Sequence, residues 1–240
     1  MNLKKISLVL VVSTLMIFIS SCSKDDSTGG VSLKAKAINN NPTSKVMFNA
    51  KSSANIITIS SFKININEIE FEVEDQDEQN EDLYSDFELK GPFELDLSNG
   101  NFSVDITTVE LPNNVYSEIE FDLHKSTNTS SELYGKSIQI KGTLNGTPFV
   151  FWHDVEDEIE VDFPNSSTNI SVAENQLTVV ITFDLTTIFG STSTIDFSSA
   201  LDRNGNGVIE INPSNADGNA AIAHQIKNLL KENSNLDDDD

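Results

Sequence analysis

Hydrophobic and polar residues alternate along most of the chain between residue 31 and about residue 185, and polar turns separate the alternating runs. A period of two turns one side of a run toward a core and leaves the other in water, which is typical of antiparallel β-structure. The pattern therefore predicts a mainly β protein, an antiparallel β-sandwich. The predicted strands are residues 56–66, 69–73, 87–97, 115–123, 137–144, 147–153, 159–163 and 177–185.

Three local signals refine these strands. Asn145-Gly146 between two β-prone runs predicts a hairpin with a type I′ turn, which needs positive φ at both central residues. The apolar residues at 62–66 and at 69–73 have opposite parity, so the chain must change faces near Asn67-Glu68 through a bulge or tight corner. Pro92 cannot donate to a ladder and is expected to split its strand or to lie at an edge.

The pattern changes after Ile195, where a helical period predicts one helix at about residues 218–232. Its apolar residues follow the spacing of a single buried stripe, and Asp217 is placed to cap its first turn. A helix with one apolar stripe must pack on another element, so we expect it to dock on the sandwich. The stripe consists of Ile222, Ile226, Leu229 and Leu230.

The start of the chain predicts a secretion signal. Lys4 and Lys5 precede an apolar run at residues 6–19 that is short for a transmembrane helix. The run ends in Ile-Ser-Ser-Cys, which resembles the lipobox of bacterial lipoproteins, and Cys22 is the only cysteine. We therefore expect Cys22 to carry the lipid, the alternative being a spare cysteine beside an ordinary signal peptide. The expected organisation is a signal peptide at 1–21, a flexible tether at 22–30, the β-sandwich at 31–195, and an Asp/Asn-rich loop, helix and acidic tail at 196–240.

Composition limits the partners and the chemistry. A formal charge of −23 at pH 7 excludes nucleic acid as a main partner, because the chain cannot neutralise phosphates, and favours cationic partners or divalent ions. A single cysteine excludes an internal disulfide and paired-cysteine zinc or redox sites. The three histidines lie in different predicted elements and give little for a histidine-built metal centre.

Several segments resemble a group of secreted bacterial lipoproteins. Residues 87–97, ending Phe-Glu-Leu-Asp-Leu, and residues 110–121, beginning Glu-Leu-Pro-Asn-Asn-Val-Tyr, are similar to a strand and a following turn of a Bacteroidota-type domain of unknown function. The hairpin at 142–149 extends the resemblance. It implies a β-sandwich and no established activity. The acidic Ser-Lys-Asp-Asp after Cys22 is similar to the export signals of such lipoproteins, which implies an outer-membrane protein displayed at the cell surface.

The segment that begins at Asp202 has the order D-x-N-x-N-G of a calcium loop. Alternating oxygen ligands with glycine at the sharp bend suit a hard cation. Pro213 replaces the carboxylate at the twelfth position, so Asp196 or Asp217 would have to complete the shell. The alternative is a structural turn rich in Asx residues. The candidate ligands are Asp202, Asn204, Asn206, the carbonyl of Val208, and Glu210.

Two aromatic residues are candidates for a ligand platform. Trp152 on a predicted strand and Tyr134 in a loop could stack on a sugar ring if exposed, although strand aromatics usually pack in a core. Phe149 and Phe151 are expected to face inward with Trp152 outward, or the reverse.

The sequence predicts no enzyme, because it lacks a nucleophile elbow and the zinc-protease motif, and carboxylate pairs are inevitable among 38 acids. The leading hypothesis is a lipid-anchored surface protein that binds a ligand or glycan or contacts a protein partner. One alternative is a fimbrial or adhesive subunit, with a removable edge strand near residues 31–51. Another is a polysaccharide hydrolase, which would need a cleft with a carboxylate of raised pKa.

Overall fold

The protein is mainly β and consists of two sheets with few helices. The computed structural model describes residues 28–38, 55–73, 86–99, 103–112, 115–162, 170–171 and 177–238. Cys22 and the expected signal peptide therefore lie outside the described residues. The strands are β1 Thr28–Ile38, β2 Ile57–Val73, β3 Phe87–Asp96, β4 Val104–Pro112, β5 Val115–Leu123, β6 Ile138–Leu144, β7 Thr147–His153, β8 Asp157–Asp162, β9 Ile170–Ser171, β10 Leu177–Asp184, β11 Ile209–Ile211 and β12 Ser234–Asp238. The helices are α1 Leu185–Phe189, a 3₁₀ turn at Phe197–Ser199, and α2 Ala220–Glu232.

The four-stranded sheet has the order β12-β10-β1-β4. β1 lies inside it, parallel to β10 and antiparallel to β4, and its alternate side chains from Val31 to Ala37 are buried. The described part of residues 31–51 is an interior strand rather than the removable edge strand that the fimbrial alternative requires. β1 begins at Thr28, within the range expected for the tether.

The eight-stranded sheet has the order β11-β7-β6-β2-β5-β8, with β3 beside β2 and β9 beside β5. The expectation of wholly antiparallel sheets was wrong at two pairs, β1–β10 and β11–β7. The predicted face change in β2 is confirmed, because the register with both β3 and β5 shifts between Ile66 and Glu68. Ile66 and Ile69 are consequently both buried. Pro92 lies opposite this shift in β3, which has β2 as its ladder partner.

The predicted hairpin between β6 and β7 is confirmed. Asn145 and Gly146 have φ values of 53° and 87°, and the flanking strands pair in antiparallel register. The side-chain Oδ1 of Asn145 accepts a hydrogen bond of 2.8 Å from the backbone N–H of Ile56, which ties the turn to the start of β2. The turn thus joins β7 to β6 and contacts the start of β2, which pairs with β6 along its own ladder.

The buried faces of the two sheets share one hydrophobic core. Phe62 of β2 and Phe183 of β10 meet edge to face across the sheets, with ring centroids 5.5 Å apart. Phe71 of β2 and Tyr116 of β5 also meet edge to face, within the eight-stranded sheet, with ring centroids 5.8 Å apart. The Tyr116 hydroxyl donates a hydrogen bond to the backbone oxygen of Pro112. Edge-to-face aromatic pairs add stability beyond area burial alone. Because these side chains pack in the core, the residues that alternate with them along each strand face solvent.

Helix α2 buries its apolar stripe in the same core and is held by ion pairs. Ile222, Ile226 and Leu230 are buried, and Lys227 and Lys231 contact Asp157 of β8 at 3.6 and 2.9 Å. The cap differs from the expected one. Asn219 occupies the N-cap position and Asp217 does not cap the helix. Instead, the Oδ1 of Asn215 accepts a hydrogen bond from the first helical N–H, that of Ala220.

Part of the acidic C-terminal tail forms a strand. Asp237 and Asp238 belong to β12, which pairs antiparallel with β10. The last two residues lie outside the described part of the chain. Within the described ranges, no helix combines the length and the apolar character needed to cross a membrane.

Candidate cation-binding face

The solvent side of the eight-stranded sheet carries acidic residues on neighbouring strands. In β2, Ile69 and Phe71 point into the core, so Glu68, Glu70 and Glu72 project to the other side. The same alternation places Glu118, Glu120 and Asp122 of β5, and Glu158 and Glu160 of β8, on that side. These eight residues form what is called below the acidic face.

The register aligns these acids in rows across the strands. Glu70 pairs with Glu120, and Glu120 pairs with Glu160. The next row joins Glu68, Asp122 and Glu158 in the same way. Directly opposite residues have Cβ atoms about 4.5–5.5 Å apart, a distance at which like charges destabilise a sheet. Charge repulsion is therefore built into this face by the strand register.

The rows enclose a cleft of about 180 Å³ lined by carboxylates. Within the described ranges, one group of three side chains brings carboxylate oxygens within 4.8 Å of one another, and it consists of Glu120, Glu158 and Glu160. Glu120 is partly buried, whereas Glu158 and Glu160 are exposed. The cleft is lined by Glu68, Glu70, Glu120, Asp122 and Glu158.

The electrostatics of the face centre on Glu120. Desolvation by burial, followed by the charges of neighbouring glutamates, raises the pKa of Glu120 to about 7. The same causes raise the pKa of Glu70 above its ordinary value. At the rim, Lys90 of β3 contacts both Glu68 and Glu88. At neutral pH the neighbouring negative charges of the face therefore oppose the ionisation of Glu120.

Clustered carboxylate oxygens are the ligands that hard divalent cations such as Ca²⁺ prefer. A bound cation would neutralise several charges at once and would favour the ionised form of Glu120. The arrangement thus offers clustered carboxylate ligands, and a cation that bound there would compete with the proton on Glu120.

This face was not predicted from the sequence, because carboxylate pairs are inevitable among 38 acids and carry little information by themselves. A signal existed in the alternating acids at residues 68–72, 118–122 and 158–160. The signal becomes specific only with the strand register, which shows that the three runs are neighbours on one side of one sheet.

The Asp202 loop is ordered by its own side chains. The carboxylate of Asp202 accepts hydrogen bonds from the backbone N–H groups of Gly205, Asn206 and Gly207. The side-chain oxygen of Asn206 accepts a bond of 2.8 Å from the N–H of Val208. This backbone conformation is compatible with both interpretations of the loop, a calcium site and a structural turn.

The other two candidate ligands of this loop bond to each other, the amide of Asn204 donating to Oε2 of Glu210 at 2.6 Å. The two side chains expected to complete a calcium shell have other roles. Asp217 is fully buried, and its carboxylate accepts bonds from the N–H groups of Arg203, Asn204 and Glu210. Burial alone would raise the pKa of Asp217, but these bonds hold it below its ordinary value. Asp196 caps the 3₁₀ turn by accepting from the N–H of Ser198.

Neither residue of the candidate aromatic platform is among the side chains that line the acidic cleft. Phe149 and Phe151 face the core, so Trp152 turns outward and is partly exposed, which is one of the two expected arrangements. Tyr134 is 56% exposed in the loop after β5. The ring contacts found among the described residues do not join Trp152 to Tyr134.

Comparisons with known proteins find a distant structural similarity. No family model matches the chain, and no curated protein matches it. Among solved structures, MbnP from Methylosinus trichosporium is similar at a TM-score of 0.34 and 14% sequence identity. The alignment covers 68% of this chain and 78% of that one.

The raised pKa of Glu120 predicts that the protein loses stability as pH rises. The folded state keeps a proton on Glu120 that the unfolded chain releases near the ordinary carboxylate pKa, so this contribution is present at low pH and is lost as pH passes about 7. Thermal unfolding from about pH 5 to about pH 8 should show a falling midpoint, and Glu120→Gln should flatten this slope and raise the midpoint at the upper pH. Glu110→Gln, on an exposed position of β4, is the matched control and should leave the slope unchanged. An unchanged slope in Glu120→Gln would contradict the assignment.

Proposed function

We propose that this protein is a non-enzymatic, lipid-anchored binding protein of the bacterial cell surface, and that its acidic face binds divalent cations. In this proposal the two sheets form a β-sandwich whose solvent side carries the site. The carrying observation is the triad of Glu120, Glu158 and Glu160, whose carboxylate oxygens lie within 4.8 Å of one another.

Charge balance supports a cation as the ligand. The acidic face has Lys90 at its rim, and the chain as a whole carries a net charge of −23. Such a surface attracts cations and repels polyanions. A divalent ion suits the triad better than a monovalent ion, because it neutralises more charge at one point.

The anchor would hold the first strand close to the membrane. Five residues separate Cys22 from Thr28, where β1 begins. Since an extended chain spans at most about 3.6 Å per residue, the start of β1 would stay within roughly 20 Å of the lipid. Two or more acyl chains on Cys22 would give the stable attachment that one chain cannot.

The Asp202 loop is proposed as a second position for calcium. Its side-chain oxygens alternate along a turn that the backbone already adopts. Because Asp217 and Asp196 are engaged elsewhere, water would have to supply the remaining ligands. The loop is therefore expected to bind calcium more weakly than a complete twelve-residue loop.

A polysaccharide hydrolase is a second candidate, favoured by the raised pKa of Glu120 in a cleft. The lining argues for binding instead, since the residues around the cleft are all acidic and none offers an aromatic surface to a sugar ring. Release of reducing sugars from a polysaccharide panel, abolished by Glu120→Gln, would favour hydrolysis over ion binding.

Calcium titration by calorimetry tests the proposed cation site. The protein should release or absorb heat on binding Ca²⁺, and a variant combining Glu120→Gln, Glu158→Gln and Glu160→Gln should lose this binding because it lacks the clustered charge. Glu110→Gln should bind as the unchanged protein does. Asp202→Ala isolates the loop and should remove only a weaker event. The triple variant should keep the weaker event of the loop, and calcium binding that survives when the triple change is combined with Asp202→Ala would refute the face as the site.

Membrane fractionation tests the proposed anchor. The protein made in a bacterial host with its own leader should partition with membranes and carry acyl mass on Cys22. Cys22→Ala should release it from the membrane fraction, because charge alone gives this acidic body no attraction to anionic lipid. A soluble protein without acyl mass would refute the anchor and leave the cation site untouched.

A further inference from the structure

His153 is buried at the end of β7 without hydrogen-bond partners for its ring. The residue is 7% exposed, and neither Nδ1 nor Nε2 has a partner among the described residues. Oδ1 of Asp154 lies 3.8 Å from Nδ1, which is too far for a hydrogen bond. The main chain is fixed, since both the N–H and the hydroxyl of Ser137 donate to the carbonyl of His153. The ring is therefore confined to a place that offers it neither water nor a hydrogen-bond partner.

Helix α2 packs against this ring. His153 is on the side of β7 that also buries Phe149 and Phe151. The ring of His224 on α2 meets the His153 ring edge to face, with the ring centroids 5.5 Å apart. His224 is exposed to solvent, whereas Ala223, the residue before it, is fully buried. The buried ring of His153 therefore lies at the interface between β7 and α2, with an exposed side chain of the helix against it.

Basic groups outnumber acidic groups among the side chains whose charges act on the buried ring. Lys227 and His224 of α2 oppose a positive charge on the ring, and Asp154, which follows β7, favours one. Asp157 of β8 is engaged by Lys227 and Lys231, at 3.6 and 2.9 Å. A proton on the ring would therefore create a buried positive charge that a single adjacent carboxylate offsets only in part.

We propose that His153 is the trigger of an acid-sensitive switch that holds α2 against β7 at neutral pH and releases it in mild acid. At neutral pH the ring is uncharged and fits its buried position. A proton charges the ring, and a buried charge without a hydrogen-bonded partner is costly, so the charged form favours an open state in which α2 has moved away and water reaches the ring. The switch uses no residue of the acidic face, so it is independent of the proposed function.

Proton binding determines the sign of the effect. Burial, and to a lesser degree the charges of His224 and Lys227, hold the pKa of His153 below its ordinary value despite the opposing charge of Asp154. In the open state the ring is solvated and titrates near its ordinary pKa of 6.5. The open state therefore binds the proton more readily, and docking of α2 weakens as pH falls below this value. Uptake of one proton enlarges the open fraction by up to about tenfold per pH unit in this range.

Hydrogen exchange of the full chain, measured by mass spectrometry at about pH 7.5 and about pH 5, tests the switch. After correction for the intrinsic exchange rate, the amides of α2 should lose protection at the lower pH by about tenfold relative to the amides of β6. Glu120 changes the stability of the whole fold in the opposite direction, so the comparison of α2 with β6 in one protein is the informative quantity. Equal relative protection of α2 at both pH values would overturn the proposal.

The three histidines of the chain supply the variants and the control. His153→Phe removes the titrating group and keeps an aromatic ring in the core, so α2 should stay protected at both pH values. His224→Ala replaces an exposed side chain and lets water reach the buried ring, so it should reduce the loss of protection, and it decides the test if His153→Phe does not fold. His124→Ala removes an exposed imidazole near Glu156 and should keep the full loss. A full loss in folded His153→Phe or in His224→Ala would overturn the proposal, as would an equal reduction in His124→Ala.

Discussion

The register shift in β2 is the constraint on which the rest of the structure depends. Before it, Phe62, Ile64 and Ile66 point into the core, and after it Ile69 and Phe71 do so. Without one extra residue at Asn67, the strand would continue in phase and turn Glu68, Glu70 and Glu72 into the core. A bulge of this kind offsets the side-chain alternation by one position. The acidic face therefore exists because a single residue shifts the phase of the longest strand.

The same shift couples the core to the charge on the surface. Apolar packing of Ile69 and Phe71 against the other sheet holds β2 in register with β5 and β8, and that register sets the glutamates opposite one another. Hydrophobic burial thus compensates for the repulsion that it creates. A site of this kind is kept assembled by the core beneath it, and a bound cation would relieve the repulsion without rearranging the strands.

Local features of the fold could be predicted from the sequence, and long-range features could not. The turn at Asn145 and the face change near Asn67 depend on adjacent residues, and both were predicted correctly. The interior position of β1 was missed, because the small side chains of Ala35 and Ala37 weaken the alternation and its parallel partner β10 is distant in sequence. The role of Asp217 was misjudged, since a residue just before a helix is usually a cap. The acidic rows depend on tertiary contacts that a one-dimensional pattern does not contain.

The interior position of β1 has a consequence for biogenesis. Its parallel neighbour β10 and the edge strand β12 are among the last segments to be synthesised, so the smaller sheet cannot close until nearly the whole chain is available. Folding that waits for distant partners is slow. β1 therefore remains without its neighbour β10 while the residues between the two strands are being synthesised.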